Sequence, residues 1–135
     1  MKKILISLFI LMALGGVFFY LYGRLRSHNP NFSKTVKYTL NGKTYHFLVA
    51  TNAPEWEKGL MYYTKLTNAD GMLFIFPDRR FRTFWNKNTY MDLDVYWLDG
   101  SRVVTKDFLP SIRKSKGLVI ISSPEPVNKV IEIPR

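Results

Sequence analysis

Nineteen successive residues, Ile4 to Tyr22 (ILISLFILMALGGVFFYLY), contain one clearly polar side chain, Ser7. A helix of about 20 apolar residues spans the hydrocarbon core of a bilayer, so this run is long enough to cross one. Lys2 and Lys3 precede it, Arg24 and Arg26 follow it, and Tyr20 and Tyr22 fall where amphipathic rings favour the headgroup layer. A buried core helix would rarely be apolar on every side. A cleaved signal peptide is the competing reading, with Ala13-Leu14-Gly15 as a small-residue cleavage site. Cleavage there would expose Val17-Phe18-Phe19-Tyr20-Leu21 at the start of a soluble chain, so an uncleaved anchor is expected. Counting flanking basic residues points to a domain inside the cytoplasm, whereas a short basic tip directly before an apolar run is the pattern of export signals. The expectation is a single-pass membrane protein with its domain outside the cytoplasm: an anchor over residues 1–26, a linker over 27–34 and a β domain over 35–135.

The chain has 135 residues, enough for one domain beside the anchor. Its 10 Phe, 8 Tyr and 3 Trp can fill the core of so small a domain. The absence of cysteine excludes a disulfide framework, a thiol nucleophile, a thiolate zinc site and the lipidated cysteine of a bacterial lipoprotein. Only His28 and His46 are present, so no histidine cluster is available for a transition metal, and no cofactor is expected. Of the 20 basic residues, four flank the apolar run; the remaining 16 against 10 acidic ones leave +6 for the rest. A basic surface of this kind suits anionic lipid or an anionic wall polymer. Nucleic acid is not expected as a partner, because no block of five or six like charges occurs.

Beyond the polar connector Ser27 to Ser33, Thr35 to Leu40 alternates, with Val36, Tyr38 and Leu40 on one face. Asn41-Gly42 follows, a dipeptide that accepts positive φ at both central positions of a tight hairpin turn. Lys43 to Ala50 is the return strand. Asn52 or Thr51 can cap a short helix carrying Pro54, Glu55 and Glu57 in its first turns and stopped by Gly59. Gly71 to Phe76 (GMLFIF) is apolar on both faces, the signature of a central strand. Met91 to Leu98 alternates, Asp99-Gly100 turns it into a strand over 102–106, and further short strands fall at 117–121 and 129–133. The fold class this predicts is mainly β, a small β-sandwich or barrel with one short helix, preceded by a single transmembrane helix.

Several strings carry a family resemblance. Glu55-Trp56-Glu57-Lys58-Gly59-Leu60-Met61 is similar to an E-x-x-x-G-L-M signature, and Gly71-Met72-Leu73-Phe74-Ile75-Phe76 to a G-M-L-F-x-F strand. Phe84-Trp85-Asn86-Lys87-Asn88-Thr89 with Leu93-Asp94 is similar to F-W-M-K-N-T…L-D, and Ser122-Ser123 with Val130-Ile131-Glu132-Ile133-Pro134 to a closing strand. In this order, over roughly Thr44 to Pro134, they resemble the domain of unknown function 192 family. The resemblance implies a compact β-sandwich in bacterial and archaeal proteins that often carry export signals. Four departures stand out. Asn86 replaces the usual Met, Tyr63 the usual Arg, the loop before Ser122 lacks cysteines, and the chain stops at Arg135 without an extra segment. The last of these leaves a sheet edge unprotected, or open to a partner.

The candidate ligand-binding residues are Trp85, Lys87, Asn88, Asp94 and Glu132. Lys87 and Asp94 together with aromatic neighbours could grip a polar ligand, while Asn88 and Thr89 have the composition of residues that bond their own turn, with Asp94 holding its amides. Glu132 alternates with Ile131 and Ile133 and is expected as an exposed strand residue. His46, Ser122 and Ser123 are expected in surface and turn roles. Three readings follow: an envelope-facing module binding a glycan or a protein partner, an enzyme acting on an envelope glycan or other polar substrate through Lys87, Asp94 and Glu132, or a purely structural accessory in a membrane complex. The enzyme requires those three side chains to converge in one concave site.

Overall fold

The structure, a computed structural model, describes Phe32 and residues 34–135. The apolar run Ile4 to Tyr22 lies outside the described residues, as does nearly all of the connector. Among the described residues, no helix is long and apolar enough to cross a membrane.

The first hairpin forms as the alternation predicts. Strand β1 (Thr35–Leu40) pairs antiparallel with β2 (Lys43–Ala50) in the register Tyr38 opposite Tyr45. Asn41 at φ 50° and Gly42 at φ 81° make the tight turn between them. Helix α1 (Ala53–Lys58) is capped by Asn52, whose Oδ1 accepts from the Glu55 amide at 3.2 Å. The Glu55 carboxylate reaches back to the Thr51 amide at 2.6 Å, so each end of this short helix entrance satisfies the other. That bond, first among several, holds the Glu55 carboxyl below the usual range.

The chain then runs into β3 (Gly71–Arg80), which lies parallel to β2. A parallel neighbour needs a long crossover, and the segment carrying α1 supplies it. Next come β4 (Thr83–Trp85), β5 (Leu93–Asp99), β6 (Arg102–Leu109), a one-turn helix α2 (Ile112–Ser115), β7 (Ile120–Ser122) and β8 (Val127–Pro134). Six strands form a mixed sheet in the order β1-β2-β3-β8-β5-β6, and β4 with β7 forms a separate two-stranded ribbon. The fold is thus mainly β with two short helices. The expected layering takes an unequal form, because the second layer is a ribbon rather than a sheet of comparable size. The expectation of one helix misses α2, whose four residues carry too little periodicity to register. The closing strand is not at an edge either. β8 lies between β3 and β5, in the middle of the sheet.

Both faces of the sheet are apolar. On one, Leu48, Ala50, Met72, Phe74, Val95, Trp97 and Val130 form the main core. The ribbon and α1 cover this face. Phe84 of β4 meets Phe74 edge-on at 4.9 Å and Trp97 edge-on at 5.5 Å, the arrangement that ring quadrupoles favour. Trp56 of α1 packs on Phe76 at 4.9 Å, and its indole N–H donates to the carbonyls of Ala50 and Ile75 at 3.1 and 3.2 Å. On the other face Leu40, Phe47, Leu73, Leu98 and Ile131 form a second cluster.

Candidate functional site

Between α1, the end of β3 and the free side of β4 lies a cavity of about 540 Å³. Its walls are Trp56 and Leu60 from the α1 segment, Phe74 and Phe76 from β3, and Phe84 from the ribbon. Phe81, Trp85 and Ile120 stand at its rim, 67%, 40% and 57% exposed. Glu132 from β8 reaches the same space.

Glu132 is the unusual member. It is opposite Met72 on one neighbouring strand and Val95 on the other, both fully buried, and is itself only 4% exposed. The expectation of an exposed strand residue is therefore wrong. Alternation correctly turns Glu132 away from Ile131 and Ile133, but the face it turns to is the one that the ribbon and α1 cover. Within the described residues, the structure shows no hydrogen bond or ion pair to its carboxyl. Burial pushes the group up to about 8, so at neutral pH it holds its proton.

Most other polar groups around the cavity have partners; the exceptions are Glu57, which is exposed, and Arg82 Nε, which is buried. Arg82 is bonded to Asp78 through both the carboxylate and the main-chain carbonyl, and its guanidinium lies over the Phe76 ring at 4.0 Å. The Thr83 hydroxyl meets Ser122 at 3.2 Å, and the Thr89 hydroxyl donates to the Lys87 carbonyl at 3.3 Å. Lys58 sits over the ring of Tyr62 at 4.9 Å, and burial lowers its pKa.

The sequence-derived candidates separate. Trp85 and Glu132 both line the cavity. Lys87 is exposed beside it, its ammonium 5.2 Å from the centre of the Trp85 ring. Asn88 is a turn residue at φ 52°; its side chain donates to the Tyr62 hydroxyl at 2.8 Å, and its carbonyl accepts from the Tyr62 amide at 2.9 Å. Asp94 is on the opposite face of the sheet, because Val95, and not Asp94, pairs with Glu132. There it binds Lys106 at 2.8 Å and Arg135 at 2.6 Å. Burial alone would raise its pKa, but those two bonds outweigh burial and lower it. The three-residue site of Lys87, Asp94 and Glu132 is not formed. Nor does Asp94 hold the turn amides. Asp92 takes that kind of role, accepting from the Ser111 amide and from Lys114, each at 2.8 Å.

Asn86, which the sequence marks only as a departure from the usual Met, proves to be an organising residue. It is fully buried. Its amide donates to Pro110 O at 2.9 Å and Ser115 Oγ at 2.8 Å, while its Oδ1 accepts from Val119 N at 2.8 Å. These bonds tie the turn after β4 to α2 and to the approach to β7, and so fix the ribbon over the sheet. The signal available was a polar residue in a position where similar sequences carry Met.

His46 is exposed, as expected, with its ring 3.9 Å from Asp70. Ser123 is a buried turn residue whose hydroxyl accepts from the Arg82 amide at 3.0 Å. No group of His, Asp and Glu among the described residues gathers to hold a metal ion.

The strings that carry the family resemblance come from distant parts of the chain, and most of them meet around this cavity. A family model, DUF192 (uncharacterized ACR), matches residues 36–135. The chain belongs to the DUF192 family. Two solved structures are similar to it. One is a Sinorhizobium meliloti protein provisionally assigned as a transcription regulator, with 30% identity, a TM-score of 0.59, and coverage of 74% of this chain and 78% of that one. The other is a protein of unknown function from Novosphingobium aromaticivorans, with 26% identity, a TM-score of 0.60, and coverage of 74% of this chain and 71% of that one. No curated protein matches.

Proposed function

We propose that this DUF192 protein is a ligand-binding module whose site is the cavity over Glu132, and that the run Ile4 to Tyr22 holds the module at the outer side of a membrane. The observation that carries the proposal is a buried carboxyl that faces an aromatic cavity with no bond from the described residues. A buried polar group without a partner is costly to a fold. Where it adjoins an open cavity, a ligand can supply the missing partner. The volume of about 540 Å³ lies within the range of small-molecule sites, as does the pattern of apolar walls with few polar groups. The ligand is a compact molecule with an apolar body and one polar group aimed at Glu132.

Trp56 and Trp85 both line the cavity, so occupation should change indole emission. The test uses the full chain in lipid nanodiscs and a set of aromatic and branched aliphatic fragments, each bearing one polar group. Saturable emission changes are expected, and they should disappear when Leu60→Trp fills the space. If every fragment gives only linear, unsaturable quenching, the proposal fails.

A further inference from the structure

Taking that cavity as the binding site, we infer that its ligand is an organic monocation, an alkyl- or arylammonium, with the Glu132 carboxylate as counter-ion and aromatic ring faces as walls.

Two observations lead to this class. The first is what remains unpaired. The Trp56 indole, the Thr83 and Thr89 hydroxyls and the Arg82 Nη2 are bonded within the fold, the unpaired Arg82 Nε is shut away from the open space, and Glu57 is exposed to solvent, so inside the cavity a ligand meets one accessible unpaired group, the Glu132 carboxyl. The second is the chemistry of the walls. Trp56, Phe74, Phe76, Phe84 and Trp85 present π systems, whose faces attract cations, and the attraction grows when the cation is desolvated. Two of these rings already hold cations of the chain, Phe76 under Arg82 and Trp85 beneath Lys87. An anionic ligand would meet the same faces and the same carboxyl with the wrong sign. A neutral ligand would leave the ring electrostatics unused.

The charged groups facing the cavity are Glu57 and Lys58 from the α1 segment, Arg82 from the turn before β4, and Glu132 from β8. The strands flanking Glu132 contribute only Met72 and Val95 beside it. Arg82 shares the Asp78 carboxylate with Arg80, and the Lys58 ammonium lies over the Tyr62 ring. Of the residues that the six-stranded sheet contributes to the cavity, Glu132 is the one titratable group.

Binding is then linked to a proton. In the empty cavity Glu132 is protonated at neutral pH; when a cation enters, the carboxyl ionises and its proton passes to solvent. For a quaternary ammonium, whose own charge does not titrate, affinity should rise about tenfold per pH unit below pH 8 and level off above it.

The test compares benzyltrimethylammonium with its uncharged carbon isostere, neopentylbenzene, and with the anion 3-phenylpropionate. Binding to the full chain in nanodiscs of zwitterionic lipid is measured by tryptophan emission and calorimetry from pH 6 to pH 9. The expected result is preferential binding of the cation with the stated pH profile, with proton release seen as a dependence of the heat on buffer ionisation. Glu132→Gln should lower its affinity at least about tenfold at pH 9 and flatten the profile. If the isostere or the anion binds as well as the cation, and Glu132→Gln changes nothing, the ammonium class is overturned while the cavity stands as a binding site. If none of the three binds, the ammonium class is overturned and the cavity reading loses its support with it.

Discussion

A Cβ placed on Gly71 would stand 2.1 Å from the main-chain carbonyl oxygen of Glu132. β3 can lie this close to β8 only because residue 71 has no side chain. That approach seats Met72 opposite Glu132 and so builds the wall against which the carboxyl is buried. Gly71→Ala should therefore force two central strands apart, with a loss of at least about 3 kcal/mol or failure to fold. Gly42→Ala is the control. It has φ 81° but nothing within 4 Å, so its cost is backbone strain alone, about 1 kcal/mol. Urea unfolding followed by tryptophan emission separates the two. Equal losses would mean that the close strand contact is not the reason for Gly71.

Glu132 sets a pH dependence of stability on the alkaline side. Its pKa is near 4.5 in the unfolded chain and about 8 in the fold, so between these values the native state holds more protons. The associated stability is present in full below pH 4.5, declines as pH rises, and is lost once pH passes about 8. The total is on the order of a few kcal/mol. Thermal melts from pH 5 to pH 9 should show the wild type losing stability while Glu132→Gln stays flatter and overtakes it at the alkaline end. Parallel profiles would argue against a buried, unpaired carboxyl.

Acid acts on other residues. Lys114 and the Ser111 amide lower Asp92, and Asp94 is lowered by Lys106 and Arg135 despite burial. A lowered carboxyl stabilises the fold above its unfolded value and ceases to do so as pH falls through the folded one, here below 3.8. Asp94→Asn should be modestly less stable than wild type at pH 7 and equal to it near the acid limit. Because Asp94 lies across the sheet from the cavity, the same variant should bind cavity ligands unchanged. A binding defect would contradict that separation.

Asn86 and Asn88 make a further pair. Asn86→Ala removes buried bonds to Pro110, Ser115 and Val119, and should cost about 2 to 3 kcal/mol. Asn88→Gly keeps the left-handed turn and loses only a bond to the Tyr62 hydroxyl, so less than about 1 kcal/mol is expected. Chemical denaturation of both variants checks the contrast. The first should also loosen the ribbon, seen as faster amide exchange at Phe84 and Ile121.

Local chemistry made much of the fold legible. Asn41-Gly42 accepts two positive φ angles, Asn52 and Glu55 satisfy free amides at a helix start, and the unbroken apolar run at Gly71 to Phe76 marks a strand covered on both faces. Each of these depends on residues close together in the chain. The candidate site was only half legible for the same reason. Trp85 was recognisable as an aromatic beside a polar turn, and the alternation in Val130 to Ile133 assigned Glu132 to a face. Which of two sheet faces is covered cannot be told from alternation, since the pattern is the same whether a face meets water or a second layer.

By itself, then, the sequence determined the strands, the turns, the capped helix, the family and the apolar character of the run at the N-terminus. These follow from side-chain periodicity and backbone preference, which act over a few residues. Tertiary structure alone decided that β8 is central, that β2 and β3 run parallel, that Asp94 and Glu132 face opposite ways, and that Glu132 is shut beneath aromatic rings. Strand order and layer placement arise from which distant apolar faces pack together. The free energy of that packing is strong enough to bury an ionisable group that its own neighbours in the chain would have left in water.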